Sequence, residues 1–144
     1  MDTKHNERRE NYRYFHAIAT RWMDNDVYGH VNNVTYYSYF DTATNAYLIE
    51  EGGLDISNSP VIGVIVNSGC NYKSSIAFPQ PLEAGLRVDR LGNSSVQYGV
   101  AIFAEGQDQA SAFGHFVHVF VDRTTNKPVP IPEKIRTALA RLTD

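Results

Sequence analysis

Hydrophobic positions change their spacing along the chain, and each change marks an element. Residues 12–22, YRYFHAIATRW, are rich in aromatic and β-branched types and predict a first strand. Gly29 then breaks the chain. Beyond it Tyr36, Phe40, Ala43 and Tyr47 recur at steps of four, three and four, one face of a helix of about five turns. Asn32 or Asn33 suits its N-cap, and Gly52 or Gly53 suits its exit. Val34, Tyr37, Tyr39, Ala46, Leu48 and Ile49 spread beyond that stripe, so this helix is expected to be buried on most sides.

From Pro60 to Asp122 the pattern is that of strands. VIGVIV (61–66) is a continuous apolar run, expected of a strand covered on both faces, and SGCNYKSSI continues it past a bend at Gly69. PLEAGLRVDRLG (81–92), SVQYGVAIFAEG (95–106) and AFGHFVHVFVD (112–122) follow, joined by the turns GNSS and EGQDQ. Consecutive strands on short turns are antiparallel. A Pro-rich exit, TTNKPVPIP, leads to a short basic helix over residues 132–142. The order predicts an α+β domain: a curved antiparallel sheet wrapped around one long central helix. Such a sheet has open edges, which invite pairing, and a homodimer with a continuous sheet is the expected closure.

At 144 residues the chain has the size of one domain, able to bury roughly two-thirds of its unfolded surface. Residues 12–144 are read as that domain, behind a charged, flexible tail over residues 1–11. The net charge is −3 and no block of Lys and Arg forms a stripe, which speaks against nucleic acid as a partner. No run approaches the roughly 18 apolar residues of a membrane span. The first 15 residues lack the apolar core of a signal peptide. Cys70 is the single cysteine, so no disulfide forms within the chain, and a cytoplasmic location is expected.

The candidate chemistry sits in RWMDNDVYGHVNNVTYY, residues 21–37. A calcium loop starting at Asp24 fails, because its fifth and twelfth positions are Tyr28 and Thr35. A metal site from Asp24, Asp26 and His30 lacks a second cluster to complete it. No G-x-S-x-G marks a nucleophilic serine, and no glycine-rich phosphate loop is present. What remains is a carboxylate ahead of a helix N-terminus, whose free N–H groups suit a developing oxyanion. A carboxylate placed there can attack a carbonyl carbon or activate a water to do so. Helix-capping aspartates have the same spacing, so the pattern alone leaves both readings open.

The motif D-x-D-x-x-G-H-V-N-N followed by YYSYFDTA resembles the hotdog-fold acyl-CoA thioesterases of the 4-hydroxybenzoyl-CoA thioesterase branch. RLGNSSVQY resembles that family's loop and strand after the third sheet segment. The resemblance implies that Asp26 is the catalytic carboxylate and that the backbone N–H at Asn33 polarises the thioester carbonyl. Gly29 would permit the tight turn, and His30 would orient the loop or contact substrate. Asn32, Tyr36, Asn93, Ser94 and Ser95 are candidate substrate contacts. Ile62 and Val64, within the segment Ile62–Asn67, would wall the pocket from the other subunit. Asp24 is expected to be structural, tied to loop N–H groups or to Arg21. Lys73, Arg87, Arg90, Arg123 and Lys127 are candidates for the CoA phosphates. His16, His115 and His118 are expected to be sheet histidines rather than catalysts. The implied activity is hydrolysis of an acyl-CoA to free acid and CoA, with no cofactor beyond the CoA of the substrate, by a homodimer or homotetramer. The competing readings are a non-catalytic acyl-CoA-binding protein and a hydroxyacyl-thioester dehydratase.

Overall fold

The computed structural model describes residues 7–144. Five strands, β1 (Tyr14–Ile18), β2 (Val61–Tyr72), β3 (Leu82–Leu91), β4 (Ser95–Ala104) and β5 (Ala112–Asp122), form one antiparallel sheet in the order β1-β3-β4-β5-β2. The sheet wraps α1 (Asn33–Glu50), and α2 (Glu133–Ala140) packs near its far end.

One face of the sheet carries the main core. Leu82, Ala84, Leu86 and Val88 of β3, Val96 to Ile102 at alternate positions of β4, and Phe116 and Phe120 of β5 pack against Tyr36, Phe40, Ala43, Tyr47 and Leu48 of α1. The residues of α1 that are buried recur at helical spacing, while Val34 and Ile49 are 70% and 44% exposed. The helix is therefore buried along one stripe within a single chain, not on most sides as its composition predicts. The opposite sheet face holds a smaller cluster of Tyr12, Ala101, Phe103, Ala110 and Phe113.

The expected tail falls partly outside the described residues. Its remainder is held down: the Arg9 N–H donates to the Asp108 carbonyl at 3.1 Å, and Glu7 pairs with Arg87 at 3.0 Å. The first strand is shorter than residues 12–22, because Trp22–Asp24 turn in a 3-10 helix that Asp24 stabilises through Arg21.

The run VIGVIV lies in an edge strand, and Val64, Ile65 and Val66 are 36%, 40% and 57% exposed. It is not covered on both faces within one chain. β2 also runs through Gly69 unbroken; its irregularity is a bulge between Ile65 and Asn67. That bulge keeps Val61, Gly63 and Ile65 on the same face as Ser68, Cys70 and Tyr72, the face turned to α1.

Candidate active site

The loop from β1 to α1 is built around two acids with different surroundings. Asp24 is 1% exposed. It accepts hydrogen bonds from the Arg21 backbone N–H at 2.9 Å, from Arg21 Nε and Nη2 at 3.1 and 3.0 Å, and from Tyr39 Oη at 2.7 Å. Burial alone would raise its pKa, but the bonds from Tyr39 and Arg21 outweigh that and hold the carboxyl below the usual range. Asp24 thus fastens the loop to α1, the structural role expected of it.

Asp26 opens a reverse turn. The Gly29 N–H donates to the Asp26 carbonyl at 3.0 Å, and the Asp26 N–H donates to the His30 carbonyl at 2.9 Å. Gly29 has φ +82°, a conformation that L side chains rarely adopt. One carboxylate oxygen, Asp26 Oδ1, accepts from the Tyr28 N–H at 2.9 Å. This fixes the side chain and leaves Oδ2 available.

Helix α1 begins at once. Asn32 is its N-cap, with Oδ1 accepting from the Val34 N–H at 3.0 Å and its carbonyl accepting from the Thr35 N–H at 2.9 Å. The Asn33 N–H, ahead of both, stands at the positive end of the helix dipole. The Val31 N–H donates to the Ile76 carbonyl at 2.8 Å, which joins the loop to the segment after β2.

These pieces enclose a cavity of about 490 Å³. Asp26, His30, Asn33 and Tyr36 line it from the loop and helix; Tyr72, Lys73, Ser74 and Ser75 line it from the end of β2. Tyr72 Oη donates to the Asn33 carbonyl at 3.3 Å, and its ring meets Tyr36 edge-on at 5.0 Å between centroids. Burial pushes the Tyr36 phenol up to about 12, so it stays protonated. Tyr72, Ser74 and Ser75 were not among the residues singled out from sequence. Their only signal there is a polar cluster, NYKSS, directly after an apolar run.

Asp26, His30, Asn33 and Tyr36 are therefore brought together, with Gly29 shaping the turn. The Asn32 side chain is engaged as the cap. Ile62 and Val64, expected to wall the other subunit's pocket, pair in their own chain with Val121 and Val119, on the sheet face away from α1. Strand parity puts Val61, Gly63 and Ile65 on the α1 side instead. Asn93, Ser94 and Ser95 lie at the β3–β4 turn, at the opposite end of the sheet, where the Asn93 carbonyl accepts from the Ile131 N–H at 2.9 Å. Of the basic candidates, Lys73 lines the cavity. Arg87 is engaged by Glu7 and Asp89 on the outer face, and Arg123 donates to the Ser59 and Ile56 carbonyls. His118 is buried beside Tyr98 Oη at 3.1 Å, and His115 meets Asn67 Oδ1 at 2.6 Å. Among the described residues, no group of three or more His, Cys, Asp or Glu is placed to hold a metal ion.

An antiparallel sheet around one long helix, with an acid-bearing loop feeding the helix N-terminus, is the hotdog fold. Residues 20–139 match the model of the Thioesterase-like superfamily, and the chain belongs to that family. The PA5185 protein of Pseudomonas aeruginosa, known from its crystal structure, is 60% identical, with a TM-score of 0.95 over 96% of this chain and 97% of that one. PA2801 from the same organism, itself a proposed thioesterase, is 31% identical, with a TM-score of 0.80 over 87% and 96%. The uncharacterised YsmA protein of Bacillus subtilis is 23% identical over 96 residues, 67% of this chain. That match spans 65% of YsmA's own length.

Proposed function

We propose that the protein hydrolyses an acyl-CoA thioester to a free carboxylic acid and CoA. The observation that carries this reading is that Asp26 and the helix N-terminus at Asn33 line one cavity. The thioester carbonyl carbon lies over Asp26 and its oxygen faces the Asn33 N–H. As the carbonyl carbon becomes tetrahedral, negative charge grows on that oxygen, where the N–H and the helix dipole stabilise it. The CoA thiolate then departs. Asp26 acts in one of two ways: it attacks the carbon to give a mixed anhydride that water opens, or it takes a proton from an attacking water. Single turnover in ¹⁸O-water identifies the first: when water opens the anhydride at the Asp26 carbonyl carbon, label enters the Asp26 carboxylate, whereas the general-base route places all of it in the product acid. Water and the thioester suffice for this reaction, and no cofactor is invoked.

His30 lines the same cavity as Asp26, a pairing that would also serve a dehydratase. The deciding experiment is a panel of acyl-CoAs assayed for thiol release, alongside an enoyl-CoA assayed for hydration. The account expects thiol release and no hydration. Hydration without thiol release would assign the dehydratase, and tight binding without turnover would assign a binding protein.

The working form is proposed to be a homodimer joined through β2, the edge strand whose Val64, Ile65 and Val66 are exposed. No helix among the described residues is long and apolar enough to cross a membrane. The lone Cys70 is the ground for placing the protein in the cytoplasm.

A further inference from the structure

We infer that the CoA half of the thioester is held by a second polar cavity of the same chain, where the Arg8 guanidinium exchanges its ion pair with Asp108 for the pyrophosphate. The inference rests on the thioesterase reading above and names the place that recognises CoA.

An acyl-CoA leaves its reacting carbon in two directions. One is a hydrocarbon; the other is an arm with two amides that ends in a pyrophosphate. The cavity at Asp26 continues in a direction that suits the arm. Lys73 and Ser74 line it and also line a neighbouring cavity of about 530 Å³, so the two adjoin just past the end of β2. Each is of a size usual for small-molecule sites. The neighbour is polar. Gln107, Gln109 and Ser111 line it, and Arg8 and Lys73 bring two positive charges against one acid, Asp108. Ser111 is 5% exposed, and its hydroxyl has no hydrogen-bond partner among the described residues. A hydroxyl held among buried surroundings and still free is a ready partner for a ligand amide or a phosphate oxygen.

Main-chain bonds fix the wall that carries Arg8. The Arg9 N–H donates to the Asp108 carbonyl at 3.1 Å, and the Ala110 N–H donates to the Glu7 carbonyl at 2.9 Å. The Arg8 side chain is not needed for this. Its Nη1 donates to Asp108 Oδ2 at 2.7 Å, and the two side chains are 48% and 59% exposed. An ion pair as open to water as this contributes little to stability, so it can be given up for a ligand. A guanidinium grips a phosphate through two parallel N–H bonds, and a pyrophosphate brings two negative charges where the carboxylate brings one. Lys73 has no ion pair among the described residues and stands where the two cavities meet, on the side from which the arm arrives. Arg8 falls in the stretch expected from its composition to be a tail, and so was not a candidate.

The test compares an acyl-CoA with the N-acetylcysteamine thioester of the same acid, which keeps the reacting group and lacks the pyrophosphate. The readout is the ratio of kcat/KM for the two, since binding energy from a remote part of a substrate can appear in either constant. The wild type is expected to favour the acyl-CoA at least a hundredfold. Arg8→Ala should lower that ratio at least tenfold, and Arg8→Lys should lower it less. Lys73→Ala, with the same expected fall, is the second variant should Arg8→Ala fail to fold. Asp108→Asn removes the competing carboxylate and should raise the ratio. Equal loss on both substrates in Arg8→Ala, or a ratio unchanged or lowered in Asp108→Asn, would overturn the inference. So would a wild type that hydrolyses both thioesters equally well, a result that leaves the thioesterase reading standing. If the wild-type protein releases no thiol from any acyl-CoA, that reading itself falls, a distinct result read before any variant is made.

Discussion

Two carboxylates two positions apart end in different roles because of what surrounds them. Asp24 is buried and spent on Arg21 and Tyr39, whereas Asp26 keeps an oxygen toward the cavity. The structural role of Asp24 was legible from its i,i+3 spacing to Arg21; the Tyr39 partner, 15 residues on, required the fold. Buried His118 offers a prediction at this scale. Burial pushes its pKa from 6.5 down to about 4, so the folded imidazole stays neutral where the unfolded one is protonated. Between those values the unfolded state binds more protons, so stability is fully present above pH 6.5 and falls as pH drops toward 4. The loss should amount to about 3 kcal/mol from this group. Urea unfolding at pH 7 and pH 4 measures it, and His118→Gln should flatten the dependence.

Among elements, the helix and the last three strands were readable because their periods are local. β2 departs from its expected burial for a physical reason: its apolar run lies at the sheet edge, and an apolar run alone does not tell an edge strand from a central one. In α1, likewise, Val34 and Ile49 are apolar yet exposed. The parity of β2 was not legible either, since the bulge at Val66 reverses which residues face the helix. Ile62 and Val64 therefore lie on the face away from their own chain's α1. The start of α1 is a testable joint between fold and site. Asn32→Ala removes the acceptor for the Val34 N–H and should cost about 1 kcal/mol in thermal or urea unfolding. Turnover should fall further than this loss explains, because the Asn33 N–H beside the cap loses its fixed direction.

For the whole molecule, the exposed edge of β2, with the cavity at its end, is the ground for the proposed homodimer. Ile65→Lys with Val66→Lys places charge on that edge and should give a folded monomer by light scattering, with activity reduced by at least tenfold. A folded, active monomer would separate the site from the dimer. The central claim is that Asp26 performs the reaction, and steady-state thiol release by Asp26→Asn tests it most directly, against the best acyl-CoA of the wild-type panel. Asn keeps the shape and the bond to the Tyr28 N–H but can neither attack nor take a proton. The account predicts a fall in kcat of about 10²–10⁴-fold with the melting temperature unchanged. A variant that turns over at near the wild-type rate would contradict it.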